Sequence, residues 1–467
     1  MKEKKKWYLK IPNTYIILFI MILFAALLTW IVPAGEFTRV ESEGRMLIEN
    51  GTYHAVDKSP VNLFDIFVSI PQGLQGSAQI IFMILLSSGA FGLINSTGAI
   101  ENAIGVMIKK TQKAHISSNT LIFVITCLFS CLGVIIGPEI QIPFTLVAVS
   151  IALGLGYDLL TGVAMVIVGG GVGFSMGPIN ASVIGTADSI SGLPLFSGIG
   201  LRTVIWAVTS IVAALLVLSY AKKVKKNPDY SYTKGISTEG LGLSKDISEY
   251  KLSKTDKKVL FVFLILFAFL IIGPTCFGWY LDEMSAAFVI AAIIVMIVAK
   301  LDVNTALDTF MKTAGGMFGA AMLVGLGRTI QVIMENGHVM DTIIKAISDP
   351  LVAFGPTVGA ILMSLIHGVI NFVIPSGSGQ AAASMPIMFP VGQLIGMTDQ
   401  TSILAFQIGA GVMDLIYPTM GSMMAMLGMA RVPYGKWVKF VIKVVIAMYL
   451  VTWVFLLIAV KINWGPF

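Results

Sequence analysis

The sequence predicts an all-α polytopic membrane protein built from two inverted repeats, each with a re-entrant hairpin and a broken transmembrane helix. Three observations lead there. The 467 residues are 56% hydrophobic and only 12% charged, which is more apolar surface than a soluble core can hide. Two apolar regions, 119–157 and 351–397, are too long for one helix and are interrupted by polar sequence containing Gly and Pro. The two halves also match each other at a shift of about 240 residues.

A spanning helix needs ~20 mainly apolar residues. Segments of that kind lie near 14–33, 78–108, 158–190, 199–220, 258–276, 284–300, 312–345 and 436–460, and 399–430 crosses once more. The apolar run from Tyr15 to Val32 is longer than a typical signal core and has no convincing A-x-A cleavage site, so it reads as an uncleaved first span.

The two interrupted regions read as hairpins that enter and leave on one side. With that threading, loops 1–13, 109–118, 221–258, 300–312 and 431–443 share one side and hold 24 of the 31 Lys and Arg. The other side holds Arg39, Arg45, Lys58, Arg202, Lys345 and Lys461, which leaves Arg328 inside a span. The bias puts the N-terminus in the cytoplasm and the chain in the cytoplasmic membrane. It also explains the net charge of +6 without a nucleic-acid partner.

The parts are then a first repeat over 1–220, a cytoplasmic linker over 221–257, a connecting span over 258–283 and a second repeat over 284–467. The linker is polar and lacks the apolar residues for a core of its own. Five anchors relate the repeats: "GYD" at Gly156 answers "GMTD" at Gly396, and "GVGFSMGP" at Gly171 answers "GVMDLIYP" at Gly411. Pro194 answers Pro433, Gln141 answers Gln380, and Gly98 answers Gly337. Four crossings and a hairpin per unit, with the extra span 258–276 between them, make the units opposite in orientation. That is an architecture of secondary transporters.

Non-helical backbone is tolerated at membrane depth only where protein or a water-filled cavity surrounds it. "IPSGSGQ", Ile374 to Gln380, therefore reads as one hairpin tip and "GPEIQ", Gly137 to Gln141, as the other. Helix N-termini at such tips bind anionic groups, and free carbonyls hold cations. "SMGPIN" (Ser175 to Asn180) and "IYPTMGS" (Ile416 to Ser422) mark breaks in the crossing helices.

The candidate substrate- or ion-binding residues are Glu139, Gln141, Asn180, Arg328, Ser376, Ser378, Gln380, Asp414 and Thr419. Ionisable groups inside a membrane are costly and functional by default, which selects Glu139, Arg328 and Asp414. The competing explanation is an ion pair that fixes packing, or a cap at the Asp414 helix end. Ser376, Ser378, Gln380, Asn180 and Thr419 serve equally well as caps beside a break. His367 and Asn371, four apart on the first arm of hairpin two, fit a hydrogen-bonded structural pair better than a proton relay.

Other motifs lead away from catalysis. "GGGVG", Gly169 to Gly173, has no following Lys-Ser/Thr and suits close helix packing rather than a phosphate. The four histidines are scattered with no H-E-x-x-H, and Cys127, Cys131 and Cys276 give neither a metal spacing nor a disulfide framework. No chemical cofactor or metal is expected, and the chain does not read as an enzyme. A channel would need a continuous polar pore, whereas two opposed tips predict occlusion.

The sequence resembles the YfcC-type family, relatives of the anaerobic C4-dicarboxylate carriers in the ion transporter superfamily. The resemblance runs from "LLTWIVPAGEF" at Leu27 through "GTYH", "STGAIE", "LGYD" and "LPLFSG" to "IPSGSGQAAASMPIM", "LAFQIGAG" and "IYPTMG". It implies a proton- or sodium-driven carrier with basic amino acid or arginine/ornithine exchange, and a homodimer. Two motifs depart from that family: the first tip carries Glu139 alone where a pair of acids is usual, and the first break reads "GPINAS" rather than Asn-Pro-Phe-Thr.

The expected function is secondary active transport of a small charged organic solute by alternating access, an amino acid by residue chemistry. Arg328 would face a carboxylate, and Glu139 or Asp414 an ammonium or guanidinium. A C4-dicarboxylate carrier coupled to Na+ or H+ is the alternative.

Overall fold

The computed structural model describes residues 14–42, 45–48, 51–135, 137–245, 249–277, 279 and 281–465. The basic N-terminal segment 1–13 lies outside them. Among the described residues seven helices are long and apolar enough to cross a membrane.

The chain opens with α1 (Thr14–Ile31), followed by two short antiparallel strand pairs. β1 (Gly35–Glu36) pairs with β4 (His54–Ala55), and β2 (Arg39–Ser42) with β3 (Arg45–Ile48). These strands are the exception to an otherwise all-α chain. Polar residues between two apolar segments gave no strand signal, because pairs this short show no alternation.

Two sets of helices then recur at the same shift. α2 (Leu63–Gly76), α3 (Ala78–Ser96) and α4 (Ala99–Lys113) correspond to α13 (Val303–Gly316), α14 (Phe318–Asn336) and α15 (Met340–Ser348). The first hairpin, α5 (Ser118–Ile135) with α6 (Pro138–Gln141) and α7 (Phe144–Gly154), corresponds to α16 (Pro356–Val373) with α17 (Gly377–Leu394). The broken crossings are α8 (Leu159–Met176) with α9 (Thr186–Ser191), and α18 (Asp399–Met413) with α19 (Gly421–Met429). Each set closes on a long helix, α10 (Ile199–Lys226) or α20 (Tyr434–Lys461), and α11 (Lys254–Phe277) and α12 (Leu281–Val298) lie between the sets.

The packing is reciprocal between the sets. α2 lies on α14 as α13 lies on α3, and α1 lies on α14 as α12 lies on α3. α8 and α18 cross where Gly171 admits Leu415 and Gly411 admits Ser175. Residues 171 and 411 are repeat mates, as are 175 and 415, so the crossing maps onto itself when the repeats are exchanged.

Glycines make these approaches possible. A β-carbon at Gly173 would overlap the Ser130 backbone of α5, and one at Gly409 would come within 2.8 Å of the His367 β-carbon on α16. Small residues let helices touch at backbone distance where the hydrophobic effect does not drive them together. This is the use that "GGGVG" finds. Large apolar side chains such as Phe24, Leu264 and Leu450 are more than half exposed, as a lipid-facing surface requires.

Several sequence boundaries move. The apolar run 78–108 ends as a span at Ser96, turns at Gly98 with φ 75°, and continues as α4. The run 312–345 likewise divides into the end of α13, α14 and α15, and its turn falls on His338 (φ 52°) rather than Gly337, the anchor read from sequence. Hydropathy does not mark α2 and α13 as elements, because each is amphipathic and its polar face interrupts the apolar run. Arg202, counted among the loop charges, is fully buried in the first turn of α10.

The segment between α10 and α11 is also less loose than its composition suggests. It spans 227–253, and Tyr250 is buried within it against Gly105 of α4.

Candidate functional site

Both hairpin tips are made by helix starts. Gly137 leads into α6 with Pro138 in its first turn, where a missing N–H costs nothing. Ser376 caps α17, its hydroxyl accepting from the Gly379 N–H at 3.3 Å. The second break begins at Asp414, the cap residue of α18.

These pieces meet around one cavity of about 400 Å³ lined by Glu139, Arg328, Ser376, Ser378, Asp414 and Thr419. Six of the nine predicted site residues therefore share one space. Gln141 lies just behind it, beside a pocket of about 20 Å³ that Asp414 and Ser422 also line. Gln380 and Asn180 do not line the cavity.

Those two take the structural role that the sequence left open. Gln380 is buried inside hairpin two, donating to the His367 carbonyl at 2.7 Å and accepting from Asn371 at 3.3 Å. Asn180 bridges the first break, donating to the Phe174 carbonyl at 2.6 Å and accepting from the Val183 N–H at 3.1 Å. Ser376 does both: it caps α17 and lines the cavity.

Asp414 is steadied by Asn371, whose amide donates to it at 3.1 Å. Sequence reading placed Asn371 on the hairpin arm without linking it to Asp414, because the two are far apart in the chain. Arg328 reaches the cavity from α14, where Gly327 lets the Thr419 backbone come close. Its guanidinium donates to Gln331 Oε1 at 2.5 Å, and Gln331 donates to Glu335 at 2.8 Å. Arg328 Nε, Thr419 Oγ1 and Ser422 Oγ are buried without hydrogen-bond partners. Buried polar atoms are nearly always paired, so these three mark where a ligand or water belongs.

Ser77, at the α2–α3 junction, also lines the cavity. No signal in its own half pointed to it, since its repeat mate is Met317 at the α13–α14 junction.

The carbonyls at the breaks are less free than the tip model suggests. Gly177 O accepts from Gln407 at 3.3 Å, Leu415 O from Trp437 at 2.9 Å and Ile416 O from Tyr434 at 2.8 Å. The polar surface left for a solute is thus mostly side chain: two carboxylates, one guanidinium and several hydroxyls. Among the described residues no group of three or more His, Cys, Asp or Glu side chains is arranged to hold a metal ion.

The model of the C4-dicarboxylate anaerobic carrier family, DcuC, matches residues 11–461. The chain belongs to the DcuC family. It is 30% identical to YfcC of Escherichia coli (strain K12), named as a candidate basic amino acid antiporter, over 94% of each chain. An uncharacterised protein of Haemophilus influenzae (strain ATCC 51907 / DSM 11121 / KW20 / Rd) is 25% identical over 98% of this chain and 99% of its own. Among solved structures, the YdaH transporter of Alcanivorax borkumensis aligns over 97% of this chain and 100% of its own, with TM-score 0.44 and 14% identity. MtrF of Neisseria gonorrhoeae, described with a class of antimetabolite efflux pumps, aligns over 97% of this chain and 95% of its own, with TM-score 0.44 and 16% identity. The family match and the YfcC relative uphold the resemblance read from the sequence motifs, and this DcuC-family chain is a multi-pass membrane carrier.

Proposed function

We propose that this carrier lies in the cytoplasmic membrane with its N-terminus in the cytoplasm and exchanges a small amino acid by alternating access. The observation that supports this is the charge set of the cavity, whose lining holds two carboxyl groups, Glu139 and Asp414, and one guanidinium, Arg328. A zwitterion with a cationic side chain satisfies that set, its carboxylate on Arg328 and its cationic groups on the two acids. The name of the YfcC relative agrees with it. Coupling to Na+ or H+ would pass through the same acids, and a homodimer is the working oligomer.

The family description favours a second reading, a C4-dicarboxylate. Arg328 and the amides at the start of α17 would then hold the two carboxylates, and Glu139 and Asp414 would have to be protonated or paired with a cation.

Uptake of labelled arginine into liposomes loaded with unlabelled ornithine or arginine, with labelled succinate in parallel, separates the two. Arginine uptake that needs the internal amino acid and disappears in Glu139→Gln or Asp414→Asn supports exchange. Succinate uptake without arginine uptake overturns the amino-acid reading and leaves the fold intact.

A further inference from the structure

Glu101 on α4 and Asp341 on α15 are 240 residues apart, so they occupy equivalent places in the two repeats. Each holds down a different loop. Glu101 Oε1 accepts from the Ser244 N–H at 2.6 Å, the Ser244 hydroxyl at 2.7 Å and the Tyr250 hydroxyl at 2.5 Å. Asp341 accepts from the Phe37 N–H at 3.0 Å and from Arg39 at 2.9 Å.

The neighbouring positions are tied as well, Asn102 to the first turn of α11 and Thr342 to the loop. Asn102 donates to Asp256 at 3.1 Å, while its mate Thr342 bonds the Tyr53 hydroxyl at 2.8 Å. His338, at the turn into α15, accepts the Gly35 N–H on its carbonyl at 2.9 Å and pairs with Glu36 at 2.5 Å.

Both loops also reach the second arm of a hairpin. Leu243 packs at Gly154, the end of α7. The backbone of β3 lies along α17. Under each loop is a cavity, about 370 Å³ reaching Ser150 of α7 and about 400 Å³ reaching Ala383 of α17.

The described loop residues, 238–245 with Tyr250 and 35–42 with 45–48, lie outside the helices that recur, α2–α10 and α13–α20, and share no sequence. Gene duplication accounts for Glu101 matching Asp341, but it does not account for unrelated loops being tied to them in the same way. A shared mechanical task does. A hairpin that opens toward one face must part from whatever covers its second arm, and hydrogen bonds of 2.5–3.0 Å are broken by a movement of one or two ångströms.

We propose that these loops are face-specific latches: residues 238–245 with Tyr250, held by Glu101, close hairpin one toward the cytoplasm, and residues 35–42 with the β3 strand 45–48, held by Asp341, close hairpin two toward the outside. The proposal rests on the orientation and the alternating access proposed above. Each latch must undock for its own face to open while the other stays docked. The tethers are suited to release. Arg39 is 38% exposed, so water can take over its side of the ion pair with the buried Asp341 when the loop lifts. Burial would raise the Glu101 carboxyl, but hydrogen bonds from Tyr250 and Ser244 and the charge of Lys245 hold it below its usual value, so it stays an acceptor at neutral pH.

The test uses the full chain with Cys127, Cys131 and Cys276 replaced by serine and one probe cysteine, Ala383→Cys or Ser150→Cys. A membrane-impermeant maleimide is applied to sealed vesicles of each orientation. Asp341→Asn should speed labelling at position 383 severalfold from the outside and leave position 150 unchanged, and Glu101→Gln should do the reverse from the cytoplasmic side. Arg39→Gln and Tyr250→Phe, which remove the donors instead of the carboxylates, should repeat each pattern if the first variants fold poorly. The same pattern with sides exchanged sustains the latches and overturns the orientation. Unchanged labelling in folded protein, or both positions opening together, overturns the latches, whatever the substrate proves to be.

Discussion

Gly173→Ala should separate the first hairpin from the broken helix behind it. A β-carbon at this position would lie 2.8 Å from the Ser130 carbonyl carbon and 2.9 Å from its α-carbon, and nearer still to the carbonyl oxygen. Carbon atoms sit comfortably at about 3.5–4.0 Å, so α5 and α8 must part by about 0.7 Å or more. Every obstructing atom is backbone, and no rotamer change relieves the overlap. Overpacking of this kind costs about 1–3 kcal/mol, and the displacement reaches the Ser175–Gly411 crossing two residues along α8.

The comparison that isolates the effect is graded. At Gly170 the obstruction is the Gln141 carboxamide, 2.6 Å away at its carbon, which can rotate aside. At Gly315 nothing lies within 4 Å, so alanine there gains up to about 1 kcal/mol of helix propensity. Thermal unfolding in detergent, followed by size-exclusion chromatography, should rank Gly315→Ala at or above the parent, Gly170→Ala below it and Gly173→Ala lowest. A Gly173→Ala protein as stable as Gly315→Ala would refute the backbone-contact argument.

Three further outcomes follow from single contacts. Asn371→Ala removes the amide that steadies Asp414 and should lower transport at least tenfold while the protein still folds, read as initial uptake rates in liposomes. Arg328→Lys cannot keep the planar contact with Gln331 while facing a carboxylate, and should raise KM for the carried solute more than it lowers the maximal rate. Arg202→Met removes the guanidinium that the Ser197 carbonyl and Gln407 receive in the interior and takes away the positive charge that acts on Asp188, fully buried in α9; it should lower the unfolding temperature, and Asp188→Asn/Arg202→Met should recover part of that loss in the same assay.

Long-range architecture was legible because it is written in segments. Hydropathy located the hairpins, and the 240-residue shift survived because Gly156 and Gly396, both with positive φ, need the same residue for the same turn. Amphipathic α2 and α13 escaped because a hydropathy run does not register a helix with one polar face. Arg202 was misplaced because charge at a span end reads as loop, whereas Gln407, Trp464 and the Ser197 carbonyl receive it inside. The ionisable residues that line the cavity were legible from the cost of burying them. Their positioning partners Asn371 and Gln331 were not, because an amide in an apolar segment is ambiguous until its neighbour is known.

The backbone is two-fold in its contacts, but the charges of the cavity are not. Glu139 of hairpin one answers the Ser378–Gly379 pair of hairpin two, Asp414 answers Phe174, and Arg328 answers Ser88. Opening to two faces in turn calls for an architecture that looks alike from both, whereas recognition is free to break the symmetry. A four-carbon dicarboxylate such as succinate has two identical ends and gains nothing from a site whose halves carry different charges. A chiral solute with one anionic and one cationic end does. L-arginine should therefore compete for uptake far better than D-arginine, and succinate should not compete in tenfold excess. Equal competition by the two enantiomers, or displacement by succinate, would mean that the unequal charges serve the coupling ion and not the solute.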